Sequence, residues 1–547
     1  MPDLVRGTLA RLVQASSTLS SRGARAAARD AGYWHSRVRF LIGAEPEADL
    51  TRLELELVET LRDVGSLDLG PGVGTDPDIA RLRAELAAVR SRIGDLLAVG
   101  APAGSSVAEQ VAALSGERDA IERRLRVRLV EEGDFTGSIR VLDVARGLPE
   151  GAVAIGYFHT EGWRLEQGTG RVVSVGNVLG AHVVSAAGSV AAVELGRVEE
   201  LAALALRWRA ALGAALPGTA PETAPIDEGA AGRALRERIL DPLLDGLDED
   251  TRTLFVCAAD FVHAVPLEAL PLGAGVVGDR LSVVRGVSMR PLVAPLKPPA
   301  GGGGPELLAV GAVDFGAEPP AAEANARSGR ARSFPALPGS AQEVAAVRTL
   351  FEGAFGREPS LLLEAAATKV AFRDRASGMR YLHVATHGWF EEVDFPERPA
   401  ASELWTPLPP ERTVARFAPL SLCGLALAGA NRGRDPIGRV PGILTAEELA
   451  ALDLSACETN VGLRSAGLGI QSLQAALHAA GVRTAVTSLW KVPDRTTSRL
   501  MERFYSHLWV EGMPAAEALW RAKCELRDAG YAKRDWAAWV LSGGQVR

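Results

Sequence analysis

Tyr381-Leu382-His383-Val384-Ala385-Thr386-His387-Gly388 is the stretch on which the reading of this chain turns. It reads as a strand that ends on a His-Gly turn, where glycine lets the backbone bend sharply and aim an N–H at a substrate. A second stretch, Ser455-Ala456-Cys457-Glu458-Thr459, places a cysteine just ahead of a Gly-rich turn and a helix. A parallel α/β sheet brings such strand ends together, although Cys457 follows His387 by 70 residues. A thiol and an imidazole meeting at that edge make a cysteine-nucleophile site. His387 would take the thiol proton and later protonate a leaving amine, with the N–H groups of Gly388 and Cys457 holding the oxyanion. His383 lies mid-strand. The pair His383-x-x-x-His387 would bind a metal only on a helix, and no acidic third ligand is near, so His383 reads as packed and no metal or cofactor is expected.

The bulk composition narrows the field. A chain of 547 residues is too long for one core, so two to four domains are expected. With 47% hydrophobic and 23% charged residues it is ordinary globular material. A net charge of −7 gives no electrostatic case for nucleic acid or an anionic membrane as partner. The four cysteines, Cys257, Cys423, Cys457 and Cys524, form no CxxC pair or metal spacing, which fits a reducing compartment and a cytoplasmic location. The cysteines other than Cys457 read as small buried hydrophobes. The longest uncharged stretch, Val172–Val193, carries Asn177, His182 and several serines and glycines, so strands with a short helix suit it better than a bilayer span. Met1–Arg39 is rich in Arg and Ser and lacks a continuous apolar core, so residues 1–45 read as a loosely ordered lead-in.

Residues 46–137 read as a helical adaptor region. Leu50, Leu53, Leu57 and Leu61 share a face, and Ile79, Leu82, Leu86, Val89, Ile93 and Leu97 repeat at three- and four-residue steps. Ser106 and Glu109 form a capping box for a helix striped by Val107, Val111, Leu114, Ile121 and Leu125. From residue 138 strands and helices alternate, as in an α/β sheet. Strands are expected at Val153–Tyr157, Arg171–Val175 and Leu254–Cys257, and helices at Leu201–Leu212 and Ala230–Leu247. Gly273-x-Gly275-x-x-Gly278 precedes a strand rather than a helix, so it is no dinucleotide fingerprint. Lys297–Pro305 reads as a linker dividing a first half, 138–300, from a second, 301–547. The second half is expected to carry strands at Leu307–Val310, Tyr381–Thr386, Leu425–Ala428, Thr484–Ser488 and Trp539–Leu541. Its helices are expected at Ser340–Phe351, Leu468–Ala480, Arg495–Leu508 and Pro514–Asp528. Glu391–Pro419 reads as a long loop.

Tyr381–Phe390, Ser455–Thr459 and Ala475–Asp494 together resemble the CHAT-domain family, caspase-like domains related to separase and caspases. The segments Leu337-Pro338-Gly339 to Glu343, Gly442–Glu447, Ser488-Leu489-Trp490-Lys491-Val492-Pro493-Asp494 and Phe504-Tyr505 agree with it. The resemblance implies an α/β fold: a caspase-like sheet flanked by helices, in two half-domains of which only the second carries the dyad, after an N-terminal helical region. It implies a cysteine endopeptidase that cleaves protein substrates through a thioester, with His387 as acid/base and Cys457 as nucleophile. Trp490 and Asp494 match a separase segment beside the substrate pocket, where an acidic group favours Arg or Lys; the alternative is that Asp494 caps the helix after it. A regulatory protein acting through the N-terminal helices is the implied partner. Two features depart from the family. Leu452-Asp453-Leu454 runs directly into Ser455, so the apolar strand that should present the thiol is shortened to Ala451–Ala456 at most. Asn460 stands where the family has glycine. No tetratricopeptide repeat precedes the domain. The competing reading is an inert CHAT-domain scaffold or signalling switch.

Overall fold

The computed structural model describes residues 48–65, 76–99, 107–132, 139–166, 171–214, 226–293, 306–317, 333–390, 419–432, 442–452, 454, 458–462 and 473–543. The expected lead-in, the linker, the loop at 391–418 and Cys457 lie outside these residues.

Three helices come first: α1 (Ala48–Gly65), α2 (Pro77–Val99) and α3 (Val107–Glu131). A short α4 (Val141–Gly147) leads into a meander of β1 (Ala152–Leu165), β2 (Val172–Ser185) and β3 (Val190–Arg197). Helices α5 (Val198–Ala211) and α6 (Glu228–Ile239) follow. Next come β4 (Thr253–Cys257), a small hairpin of β5 (Pro271–Leu272) and β6 (Gly275–Val276), and β7 (Ser282–Gly286). The second half opens with β8 (Leu307–Gly311), α7 (Pro338–Phe355), β9 (Ser360–Leu363), α8 (Lys369–Ala376) and β10 (Tyr381–Val384). A three-stranded sheet is built from β11 (Gly388–Phe390), β12 (Cys423–Ala426) and β13 (Ile443–Thr445), followed by the single turn α9 (Ala446–Leu449). The chain continues as β14 (Glu458–Gly462), α10 (Leu473–Ala479), β15 (Thr484–Ser488), α11 (Asp494–Tyr505), α12 (Ala515–Asp528) and β16 (Trp539–Gly543).

One eleven-stranded sheet runs through both halves in the order β3-β2-β1-β4-β7-β16-β15-β14-β10-β8-β9. Its central strands are short apolar runs such as Thr253-Leu-Phe-Val-Cys257 and Leu307-Leu-Ala-Val-Gly311, buried on both faces as parallel strands are. Strands β4 and β7 pair in parallel, as do β8 and β10, while β16 runs antiparallel to β15 and parallel to β7. The last strand therefore joins the two halves. Val172–Val193, expected to include a helix, holds β2 and the start of β3, and the β1–β2 ladder extends well past Tyr157 and Val175. The Gly273–Gly278 segment forms the β5–β6 hairpin and a 3-10 turn at Val277–Asp279.

The N-terminal helices pack within the chain. Glu54 on α1 lies 3.0 Å from His182, and the Arg62 guanidinium donates to the Tyr157 carbonyl. Glu59 accepts from the Met289 N–H at 3.1 Å, and Asp63 takes two bonds from Arg290 at 2.9 and 2.7 Å. Helix α1 thus lies over the middle of β1 and β2 and against the segment that follows β7. Helices α2 and α3 pair through Ile79, Leu82, Leu86, Val89, Ile93, Val111, Ile121, Leu125 and Leu129, joined by Leu422 of the second half. Each such side chain contributes roughly 1.5–3 kcal/mol by leaving water. Against α9 this hairpin sets buried charge: Arg118 reaches Glu447 at 3.1 Å, and Arg90 donates to the Ala450 carbonyl at 3.0 Å. Among the described residues no helix is long and apolar enough to cross a membrane.

Candidate active site

Strand β10 sits between β14 and β8, and its side chains are all buried. His383 is fully buried inside it, with Nδ1 3.2 Å from the Tyr505 hydroxyl and Nε2 3.2 Å from a Glu343 carboxylate oxygen. It is a packing residue that ties β10 to α7 and α11. Beyond β10 the chain is held step by step. The Ala385 N–H donates to the Val310 carbonyl at 2.8 Å, and the Thr386 hydroxyl donates to the Ala426 carbonyl. The Ala426 N–H in turn donates to the His387 carbonyl at 2.9 Å.

That last bond fixes the next group. The His387 C=O and the Gly388 N–H belong to one trans peptide and point opposite ways. Since the carbonyl faces β12, the Gly388 N–H faces away from it, at the outer edge of β11.

The His387 imidazole is half-buried between Phe315 and Phe334, with ring centres 5.1 and 5.8 Å away. Its Nε2 lies 2.7 Å from the Pro335 carbonyl oxygen. A carbonyl only accepts, so Nε2 carries a proton and the neutral ring keeps its lone pair on Nδ1. Burial lowers the His387 pKa from its usual value, which the Pro335 bond opposes; Lys491 lowers it further and Asp494 raises it. A neutral imidazole at neutral pH is the form a general base requires.

Asp494 opens α11, whose cap position is taken by Pro493 with no side-chain cap bond. Its carboxylate accepts the N–H of Gly339 in the first turn of α7. Trp490 is buried, with its indole N–H on the Arg534 carbonyl at 2.7 Å and the Arg209 guanidinium 4.9 Å from its ring centre. The fold therefore brings His387, Gly388, Lys491 and Asp494 to one edge, and seats Trp490 between the halves. Sequence reasoning missed Phe315, Phe334 and Pro335. The only signal for the last two is that Phe334-Pro335 stands one residue ahead of Leu337-Pro338-Gly339.

Cys457 lies outside the described residues. The residue after it, Glu458, pairs with Tyr381, and Asn460 pairs with His383. Glu458 thus stands level with the first residue of β10, whereas His387 follows the last by three residues. At ~3.3 Å per residue, the two levels are separated by roughly 20 Å along the strand. The strand beside β10 comes after the cysteine, not before it; Ala451, Leu452 and Leu454 are not in a strand. The physical reason is length. The Leu454 N–H is bonded to the Ala480 carbonyl at 2.6 Å, near the start of β15, so the strand beside β15 is filled by the next residues available. The described cysteines are poor nucleophiles. Burial pushes Cys257 well above its usual value, Cys423 up to about 12, and the half-buried Cys524 upward too.

The CHAT domain model matches residues 229–544, more than half of the chain, and the chain belongs to the CHAT-domain family. The fold is α/β, a central sheet flanked by helices. Two crystal structures of the Saccharomyces cerevisiae separase–securin complex, at 3.0 and 2.6 Å, are similar at 9% and 8% identity. Their TM-scores are 0.35 and 0.37, over 88% and 93% of this chain and 39% and 37% of theirs. The chain spans less than two fifths of those relatives' length. No curated protein matches it.

Proposed function

We propose that this chain is a caspase-like cysteine endopeptidase in which Cys457 is the nucleophile and His387 the acid/base. The observation that carries the reading is the His387 hydrogen bond to Pro335. It leaves Nδ1 as the proton-accepting atom, beside a Gly388 N–H that faces away from β12. Deprotonated by Nδ1, the Cys457 thiol attacks a peptide carbonyl, and the oxyanion is held by the N–H groups of Gly388 and Cys457. The imidazolium then protonates the leaving amine and a thioester remains, which water hydrolyses. Lys491 and Asp494 are the charged groups that act on the imidazole from the same edge. A protein or peptide is the substrate, and a regulatory protein acting at the N-terminal helices is the partner.

The thiol meets His387 only if residues 452–457, not 458–462, occupy the place beside β10. That is a slide of about six residues, which pulls on α9 and on the α2–α3 hairpin seated against it. The register of β14 favours a second reading: a CHAT-domain scaffold or switch that cleaves nothing. Mapping new peptide N-termini in source-cell lysate, with the intact protein against Cys457→Ala, decides between them. Cleavages that vanish in the variant establish the peptidase and read out its preferred residue. Identical patterns from folded proteins, with a thiol-directed acyl probe labelling neither, leave the scaffold.

A further inference from the structure

Helix α7 begins without a cap of its own. Leu337 stands at its cap position and has no side-chain oxygen, while Pro338 at the first helical position has no N–H to satisfy. The first N–H needing a partner is that of Gly339, and it is taken by a carboxylate from a different helix, Asp494 at the start of α11. Glycine makes this possible: a Cβ at position 339 would stand 2.6 Å from the Asp494 carboxylate oxygen. Two helix N-termini, each favouring a negative charge, converge on one carboxylate. Four residues before Gly339 is Pro335, whose carbonyl holds His387 Nε2. The segment from Pro335 to Gly339 is thus tied at one end to Asp494 and at the other to the imidazole.

We propose that Asp494 is a positioning residue for His387, acting through Gly339 and the Pro335 carbonyl, and that its carboxylate is not primarily a pocket for a cationic substrate side chain. Asp494 fixes the helix start, the helix start fixes the Pro335 carbonyl, and that carbonyl fixes the ring orientation and the proton on Nε2. Ser340 secures the same turn independently, donating to the Leu337 carbonyl at 2.6 Å and accepting the Ala312 N–H at 2.9 Å. Loss of Asp494 therefore loosens the turn without detaching α7. The kinetic consequence rests on the peptidase reading; the orientation of the ring does not.

The test uses the full chain with 15N-labelled histidine; with eight histidines, the His387 signals are assigned by His387→Gln. In the parent protein the ring is expected as one Nε2–H tautomer with its nitrogens well separated in shift. Asp494→Ala is expected to average those shifts, and Gly339→Ala, whose Cβ displaces the carboxylate, to do the same. Asp494→Asn keeps an accepting oxygen and is expected to retain the parent pattern. On a cleaved peptide, Asp494→Ala is expected to lower kcat on the order of 10- to 100-fold with KM little changed. Unchanged His387 signals in Asp494→Ala overturn the proposal. So does an Asp494→Asn variant that behaves like the alanine variant, which would make charge the agent. A loss confined to Arg or Lys preference overturns it in favour of a substrate pocket. If the parent protein cleaves nothing, the peptidase reading falls while the signals still decide this one.

Discussion

Arg118→Ala tests whether the N-terminal hairpin holds the segment that leads to Cys457. The Arg118 side chain is 2% exposed and lies 3.1 Å from Glu447, 3.3 Å from Asp119 and 3.8 Å from Glu122. Burial acts to lower its pKa, but Glu447, Glu122 and Asp119 outweigh this and raise it, so the guanidinium stays charged. Removing one partner of a buried ion pair costs ~3–5 kcal/mol because the other is left uncompensated. Arg90 remains 3.6 Å from Glu447 and bonded to the Ala450 carbonyl, which sets the expectation at the lower end, about 3 kcal/mol. Helix α9 is one turn long and cannot stand alone. Besides its Thr445–Glu448 capping box it is pressed by α2, where a Cβ on Gly94 would meet Glu448 at 2.7 Å. Hydrogen exchange read by mass spectrometry should therefore accelerate on the order of 100-fold at Ala450 and Ala451, whose amides close the α9 turn. The β4 amides serve as the unaffected control. The pair Arg118→Met with Glu447→Met should restore slow exchange to within about 1 kcal/mol. The reasoning is refuted if exchange rises in α2 and α3 while α9 stays protected. It is equally refuted if the paired variant is no better than the single one, since the cost would then be lost packing and not stranded charge.

The pH dependence of stability follows from partly buried histidines. Burial lowers His263 to about 3, helped by Arg285 and Arg62, and burial lowers His478 and His387 as well. Groups with depressed values stabilise the fold above their unfolded value, ~6.5, and that contribution is lost as pH falls toward the folded value. His263 alone accounts for roughly 5 kcal/mol across that window. The urea midpoint should fall steadily below pH ~6.5, and His263→Gln should flatten the slope; parallel curves count against it. Phe334→Ala should raise the His387 pKa toward its ordinary value by admitting water, as an imidazole titration would register. Gly424→Ala should break the three-stranded sheet, because a Cβ there would meet the Leu444 carbonyl oxygen at 2.0 Å. Loss of protected amides in β12 and a released His387 carbonyl are the expected result; intact protection would show that the strands can part at no cost.

Much of the frame was legible because parallel strands are short, apolar and bounded by turn residues. Leu307–Val310 and Thr484–Ser488 were found to within a residue on that pattern. The β1–β2 hairpin was underestimated because its far end is polar, with Glu161 and Asn177 paired opposite each other beyond the core. The strand beside β10 was expected before Cys457 and stands after it. Periodicity reports which residues suit a strand, whereas the gap between Leu454 and β15 decides which can reach. At the site, His387, Gly388 and Asp494 carry local signals: a strand end, a glycine and an acidic residue at a helix start. Phe315, Phe334 and Pro335 come from non-repetitive chain with no period to read. The partner of Asp494 lies 155 residues away, and no rule of spacing links it to Gly339.

The position of β16 has a bearing on chain continuity. The final described strand lies between β7 of the first half and β15 of the second, so the seam is crossed by backbone hydrogen bonds on both of its sides. Side chains stitch the same seam, with Lys523 on Glu268 at 2.7 Å and Arg527 on Asp279 at 2.7 Å. A single cut anywhere in 294–305 would leave each fragment gripping the other. The severed pieces would migrate as one particle under native conditions and part only in denaturant. The peptide bond between the halves is then a matter of assembly history, and the finished molecule is held together by its weave.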